Sequence, residues 1–188
     1  MSGAFRIGSF TFGETEVTMK CDAIFLNGVY ESVLEEILQV QGAIPEQIMF
    51  LQPYRNEAIA KLRDDPPSVD DPVLLLMSLT TDLPTVHYVA EIVGWEDKRT
   101  LPEPKRRVLN RLICTLQPNE GGLYDASRTE TGESVNLLHV RRVRRLSKPF
   151  SVSQLLNAGD GQPISDKRTT AGGWLYVKTE SSLAGLIG

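Results

Sequence analysis

The sequence predicts an α+β fold, a curled sheet or barrel of about six strands with three or four helices at its periphery. Two features carry that expectation. Residues 73–79 and 86–95 are apolar, β-rich runs of strand length separated by a short polar stretch, the pattern of adjacent central strands. Leu138, Val140, Val143 and Leu146 are then spaced by two, three and three, and a strand keeps those four on one face only by including a bulge.

The flanking elements follow in chain order. Aromatic and β-branched residues over 5–12 and 17–26, with Gly13-Glu14 between them, predict a hairpin or two successive strands. After Gly28, residues Val33, Leu34, Ile37, Leu38 and Gln41 keep helical spacing, Glu31, Glu35 and Glu36 take the wet side, and Gly42 with Pro45 ends the helix. Residues 48–51 predict a short buried strand, and Pro53 precedes a helix over 55–63 closed by Asp64-Asp65-Pro66-Pro67. Pro102 and Pro104 introduce a helix over 106–116. Its apolar face is Val108, Leu109, Leu112, Ile113 and Leu116, and its outer face is Lys105, Arg106, Arg107 and Arg111. Residues 119–134 are polar and aperiodic, as in a long loop. Ser151 suits the cap of a short helix through Leu156, residues 157–162 read as a turn, and residues 173–178 form a last strand.

With 188 residues, 41% of them apolar, the chain is expected to form a single domain over 1–188 with a substantial core. A net charge of -4 excludes a protein that coats nucleic acid through overall positive charge, so any polyanion contact has to be local. Cys21 and Cys114 match no paired metal or redox spacing and read as buried free thiols in a reducing compartment. The N-terminus shows no basic segment followed by an apolar run, and the longest apolar stretch, 73–77, is far too short to span a bilayer. A cytoplasmic protein with no membrane partner is expected.

The densest chemistry lies at residues 138–150, Leu-His-Val-Arg-Arg-Val-Arg-Arg-Leu-Ser-Lys-Pro-Phe. Guanidinium groups carry a permanent charge and a planar fork of donors, so Arg141, Arg142, Arg144 and Arg145 suit phosphates or base edges. A solvated edge strand whose charges block aggregation is the other reading. Catalysis has less to stand on. His87 and His139 are the two histidines and have no metal-ligand spacing, no serine occupies a nucleophile turn, and Glu91 is followed by Ile92-Val93 rather than a metal-supporting lysine. Gly121-Gly122 and Gly159-Asp160-Gly161 are isolated turns, not phosphate loops. The chain is therefore not expected to be an enzyme or to use a cofactor.

Three stretches, in order, resemble the EVE domain, a PUA-like β-barrel related to the YTH domain. Arg55-Asn56-Glu57-Ala58 with Leu62-Arg63 is similar to that family's Arg-Asn-x-Ala segment. Residues 73–78 followed by Tyr88-Val89-Ala90-Glu91-Ile92-Val93 resemble its paired barrel strands, and residues 140–155 resemble its ending, where a strand turns through proline into a small helix. Ala23-Ile24-Phe25-Leu26 stands where the family opens with Trp-x-x-Lys, and Leu51-Gln52-Pro53-Tyr54 replaces its Trp-x-Gly-Val. The resemblance implies a PUA-like curled barrel that binds DNA or RNA, holds one flipped base, modified in some cases, in an aromatic pocket, and relies on a partner protein for any catalytic activity.

Such a pocket needs flat walls for stacking and a few groups aimed at the base edge. Tyr54 and Trp95 are the walls by this reading, with Tyr88 and Trp174 as further aromatics, Asn56 and Ser78 as edge readers by analogy, and Arg55, Arg142 and Arg144 as backbone contacts. Core packing is the commoner role of Trp and Tyr, and Arg55 has a salt bridge to Glu57 or a nearby acid as its alternative. Side chains alternate along a strand, so about half of the arginines can face one ligand. The alternative function is an accessory subunit whose arginine strand engages an acidic partner protein.

Overall fold

The computed structural model describes residues 22–53, 57–119, 135–167 and 173–179. In chain order these form β1 (Asp22–Val29), α1 (Glu31–Ala43), β2 (Met49–Leu51), α2 (Ala60–Asp64), β3 (Val73–Leu79), β4 (Asp82–Asp97), α3 (Glu103–Leu116), β5 (Asn136–Ser151), β6 (Leu155–Asn157) and β7 (Gly173–Thr179). The strands make one mixed sheet in the order β2-β5-β4-β3-β1-β7-β6. The α+β class is as expected, with seven strands in the sheet. Among the described residues the sheet is not closed into a barrel, because β2 and β6 end it without pairing to each other.

Alternation explains why the middle of the sheet is apolar on both faces. Ile24 and Leu26 of β1 and Leu75 and Met77 of β3 join a cluster covered by Val33, Leu34 and Ile37 of α1. Ala23, Phe25 and Leu76 point the other way, into a second cluster with Val86, Val89, Leu146, Phe150, Leu155, Ile164 and Val177. Each such fully buried side chain contributes about 1.5–3 kcal/mol relative to an exposed one. A third, smaller cluster joins Leu109 and Ile113 of α3 to Phe50 and Leu137 at the β2 end of the sheet.

The long ladder between β4 and β5 shifts register three times. Between the pairs Val89–Arg144 and Glu91–Arg141, Ala90 faces two residues, Arg142 and Val143, and Arg142 takes φ 50. That bulge keeps Leu138, Val140 and Val143 on one face, in the first cluster, while Leu146 turns to the second, so the expected single face holds for three of the four. The Val143 N–H it would strand donates to Gln41 Oε1 at 2.8 Å, which is why a glutamine sits on the buried face of α1.

Other expectations need correction. Val108 is 66% and Leu112 39% exposed, so α3 buries a stripe of Leu109 and Ile113 rather than the five-residue face read from the sequence. The reason is that it lies over a narrow sheet end. Cys114, on the same helix, is exposed rather than buried. The helix expected over 55–63 is Ala60–Asp64 in the described residues. Ser151 does cap, accepting from Ser153 N–H, but the capped element is a 3₁₀ turn, Val152–Gln154, followed by a strand. The strand expected over 5–12 and the loop over 120–134 lie outside the described residues, as does Cys21. No helix among the described residues is long and apolar enough to cross a membrane.

Candidate functional site

At one end of the β4–β5 ladder, where Trp95 pairs with Leu138 and Asp97 with Asn136, a set of buried polar groups faces the chain that leaves β2. Asn136 is fully buried, and its Oδ1 accepts from Trp95 Nε1 at 3.0 Å and from Ile59 N–H at 2.9 Å while its Nδ2 donates to the Glu57 carbonyl at 2.8 Å. Lys98 is only 1% exposed, and its Nζ donates to Gln52 Oε1 at 2.8 Å. Gln52 and the Glu57–Ile59 backbone are thus fixed to the sheet from two sides. Between them stand Tyr54, Arg55 and Asn56, three of the expected site residues, which lie outside the described residues. Trp95 is half-buried and packs against the cluster under α1. Nearby, Asp97 accepts from Arg99 Nη2 at 2.6 Å, and this guanidinium holds its carboxyl below the usual carboxylate range.

Sequence reasoning missed Gln52, Lys98 and Asn136. Lys98 sits in Glu96-Asp97-Lys98-Arg99, which reads as a solvated charge run, and nothing in that run marks one member as buried. Asn136 did leave a signal. An amide inside the apolar string Val135-Asn136-Leu137-Leu138 is placed to satisfy buried backbone.

The remaining expected residues are not gathered there. Ser78 is fully buried, with its Oγ accepting from Gly28 N–H at 3.0 Å. Arg144 is exposed and pairs with Val89, a member of the second cluster, whereas Trp95 and its partner Leu138 belong to the first, so Trp95 and Arg144 leave opposite faces of the sheet. Tyr88 and Trp174 are 2% and 8% exposed, which makes both core residues. Arg145 reaches over the Tyr88 ring at 6.0 Å from its centroid.

Arg142 belongs to a four-member ion network. Arg141 Nε bonds Glu91 at 2.7 Å and its Nη1 bonds Glu46 at 3.1 Å, while Arg142 Nε bonds Glu46 at 2.8 Å and its Nη1 bonds Glu91 at 3.2 Å. Arg141 Nη2 also donates to the Val69 carbonyl at 2.8 Å. Arg141 and Arg142 are therefore neutralised within the fold. His87 bonds Asp82 at 2.8 Å near the β3–β4 turn.

No family model, no curated protein and no solved structure matches the chain.

Proposed function

We propose that this chain is an EVE-type, PUA-like module that recognises DNA or RNA without transforming it, and that a partner protein supplies any chemistry. The open mixed sheet is then this chain's version of the PUA-like barrel. The observation that supports the reading best is the buried network of Trp95, Asn136, Gln52 and Lys98, which anchors both flanks of the Tyr54-Arg55-Asn56 segment named by the resemblance. A half-buried aromatic ring held at a fixed orientation is the equipment for stacking a base, modified or not, with its edge left to the Tyr54-Arg55-Asn56 segment. Paired carboxylates or a nucleophile are not needed for that task. The setting is cytoplasmic, in keeping with free thiols.

Titration of short DNA and RNA, each with and without methylated bases, at low salt tests this. Saturable binding is expected, weakened about tenfold or more by Trp95→Ala, in line with about 1–3 kcal/mol per stacked base. Absence of saturable binding with every probe overturns it. A second reading draws on the opposite-face placement of Arg144: its exposed guanidinium engages an acidic partner protein. Loss of that partner in pull-down from Arg144→Glu, with nucleic-acid binding never present, favours it.

A further inference from the structure

In a regular strand two successive arginines project to opposite faces, yet Arg141 and Arg142 converge on the same two carboxylates. The cause is the bulge. Arg142 adopts φ 50, a left-handed conformation that costs a non-glycine residue about 1–2 kcal/mol, and Gln41 Oε1 holds the adjacent Val143 amide so that the conformation persists. Strain kept in place by a buried side chain is a reason to ask what the resulting geometry holds.

Its two anions differ in kind. Glu91 is part of β4, 26% exposed, and bonds Arg141 Nε and Arg142 Nη1 from the sheet side. Glu46 comes from the connection between α1 and β2, is 56% exposed, and presents one oxygen to Arg142 Nε and the other to Arg141 Nη1. Two guanidinium groups gripping the two oxygens of one exposed carboxylate is the arrangement in which they also grip two oxygens of a phosphate. The Arg142–Glu46 pair is exposed on both sides, and such pairs contribute about 0–1 kcal/mol, so the half-exposed Glu46 is held lightly enough to exchange. Arg141, with a side chain only 9% exposed and anchored by Glu91 and the Val69 carbonyl, stays in place when it does. Once Glu46 leaves, two arginines and one glutamate keep a net charge of +1, matched to a phosphate ester oxyanion.

We propose that Arg141 and Arg142 form a phosphate-ester cradle, and that Glu46 is an internal stand-in which occupies it until a phosphate displaces the carboxylate. The cradle deepens the backbone-contacting part of the nucleic-acid reading, but its chemistry is shared by a phosphodiester in a strand and by free phosphate.

The test titrates inorganic phosphate, and separately a short oligonucleotide, into the wild-type chain, Glu46→Gln and the double variant Glu46→Gln/Arg142→Ala, following the arginine Nε–H resonances. Glu46→Gln is expected to bind phosphate up to about fivefold more tightly than wild type, with shifts confined to Arg141 and Arg142, and the double variant to lose the gain. Equal affinity in wild type and Glu46→Gln, shifts elsewhere, or a gain that survives loss of Arg142 overturns the cradle. Wild type gives a variant-free check: saturating phosphate frees Glu46, so its side-chain carboxylate resonance moves toward that of a solvated glutamate, and an unmoved signal counts against the proposal. A gain for inorganic phosphate without any oligonucleotide binding supports the cradle and sinks the nucleic-acid reading. A gain in both arms supports the two together.

Discussion

His139 shows what one buried titratable residue does to this fold. It pairs with Phe50 on β2 and Gly94 on β4, with its ring edge-on to Phe50 at 5.1 Å between centroids and so near Gly94 that a Cβ there would lie 2.9 Å from Nδ1. Glycine is required at 94 by that approach. The Nε2 atom is sealed from solvent without a hydrogen-bond partner among the described residues, and burial pushes the imidazole below its ordinary value, with Glu96 raising it and Lys105 lowering it to a lesser degree. The native state therefore keeps His139 neutral while the unfolded chain protonates it near pH 6.5. Above that pH its contribution to stability is fully present. As pH falls from about 6.5 toward the lower native value, the unfolded state binds the extra proton and stability drops by up to about 1.4 kcal/mol per pH unit. Glu46, Asp97 and Glu103 are shifted downward by their arginine partners, so their losses come only below the usual carboxylate range. Urea midpoints measured from pH 7.5 to 5.5 are expected to fall for the wild-type chain and to flatten in His139→Leu, and an unchanged slope in the variant would remove His139 from this role.

At the scale of elements, buried amides finish what the helices and strands leave open. β2 is three residues long and forms an edge of the sheet, so the outward N–H and C=O of Phe50 would face no strand. Gln117, fully buried just past α3, takes both: its Oε1 accepts from Phe50 N–H at 2.7 Å and its Nε2 donates to the Phe50 carbonyl at 2.8 Å. The side chain acts as a strand of one residue and pins the helix end to the sheet. Gln117→Ala leaves a buried donor and acceptor unmet, a loss of about 1–3 kcal/mol. Hydrogen exchange should then show the Phe50 amide losing protection well before amides of β3, and retained protection would show that another group closes the edge. These devices mark where the sequence is legible. The bulge could be read from the three-residue step between Val140 and Val143, because a period of two cannot produce it, whereas the same step from Val143 to Leu146 is a change of face. α1 was equally plain, since its apolar residues all meet one cluster. Gln117, Lys98 and Gln52 could not be read, because a polar side chain carries no local sign of the distant backbone or amide it will satisfy. The α3 face was over-read for a related reason: apolar spacing gives the helix but not the width of the surface beneath it.

At the scale of the molecule, charge is the quantity that joins fold to function. The chain carries 20 basic and 24 acidic residues, and its own carboxylates already engage Arg141, Arg142, Arg99 and Arg107. A protein so balanced has little positive surface to spread along a polyanion. If it recognises nucleic acid, a small number of local contacts, the Arg141–Arg142 cradle among them, must do so, and each phosphate neutralised releases counterions in proportion. Two to four contacts with a single strand imply that log affinity falls against log salt with a slope of about −1.5 to −3. The Glu46 exchange adds a distinguishing mark, because an internal carboxylate that yields to phosphate removes part of the counterion release. Glu46→Gln should therefore steepen the slope while tightening binding at low salt. Equilibrium titrations from 50 to 300 mM salt decide the matter: a slope steeper than about −6 would signal coating of the whole surface, which a net charge of -4 does not support.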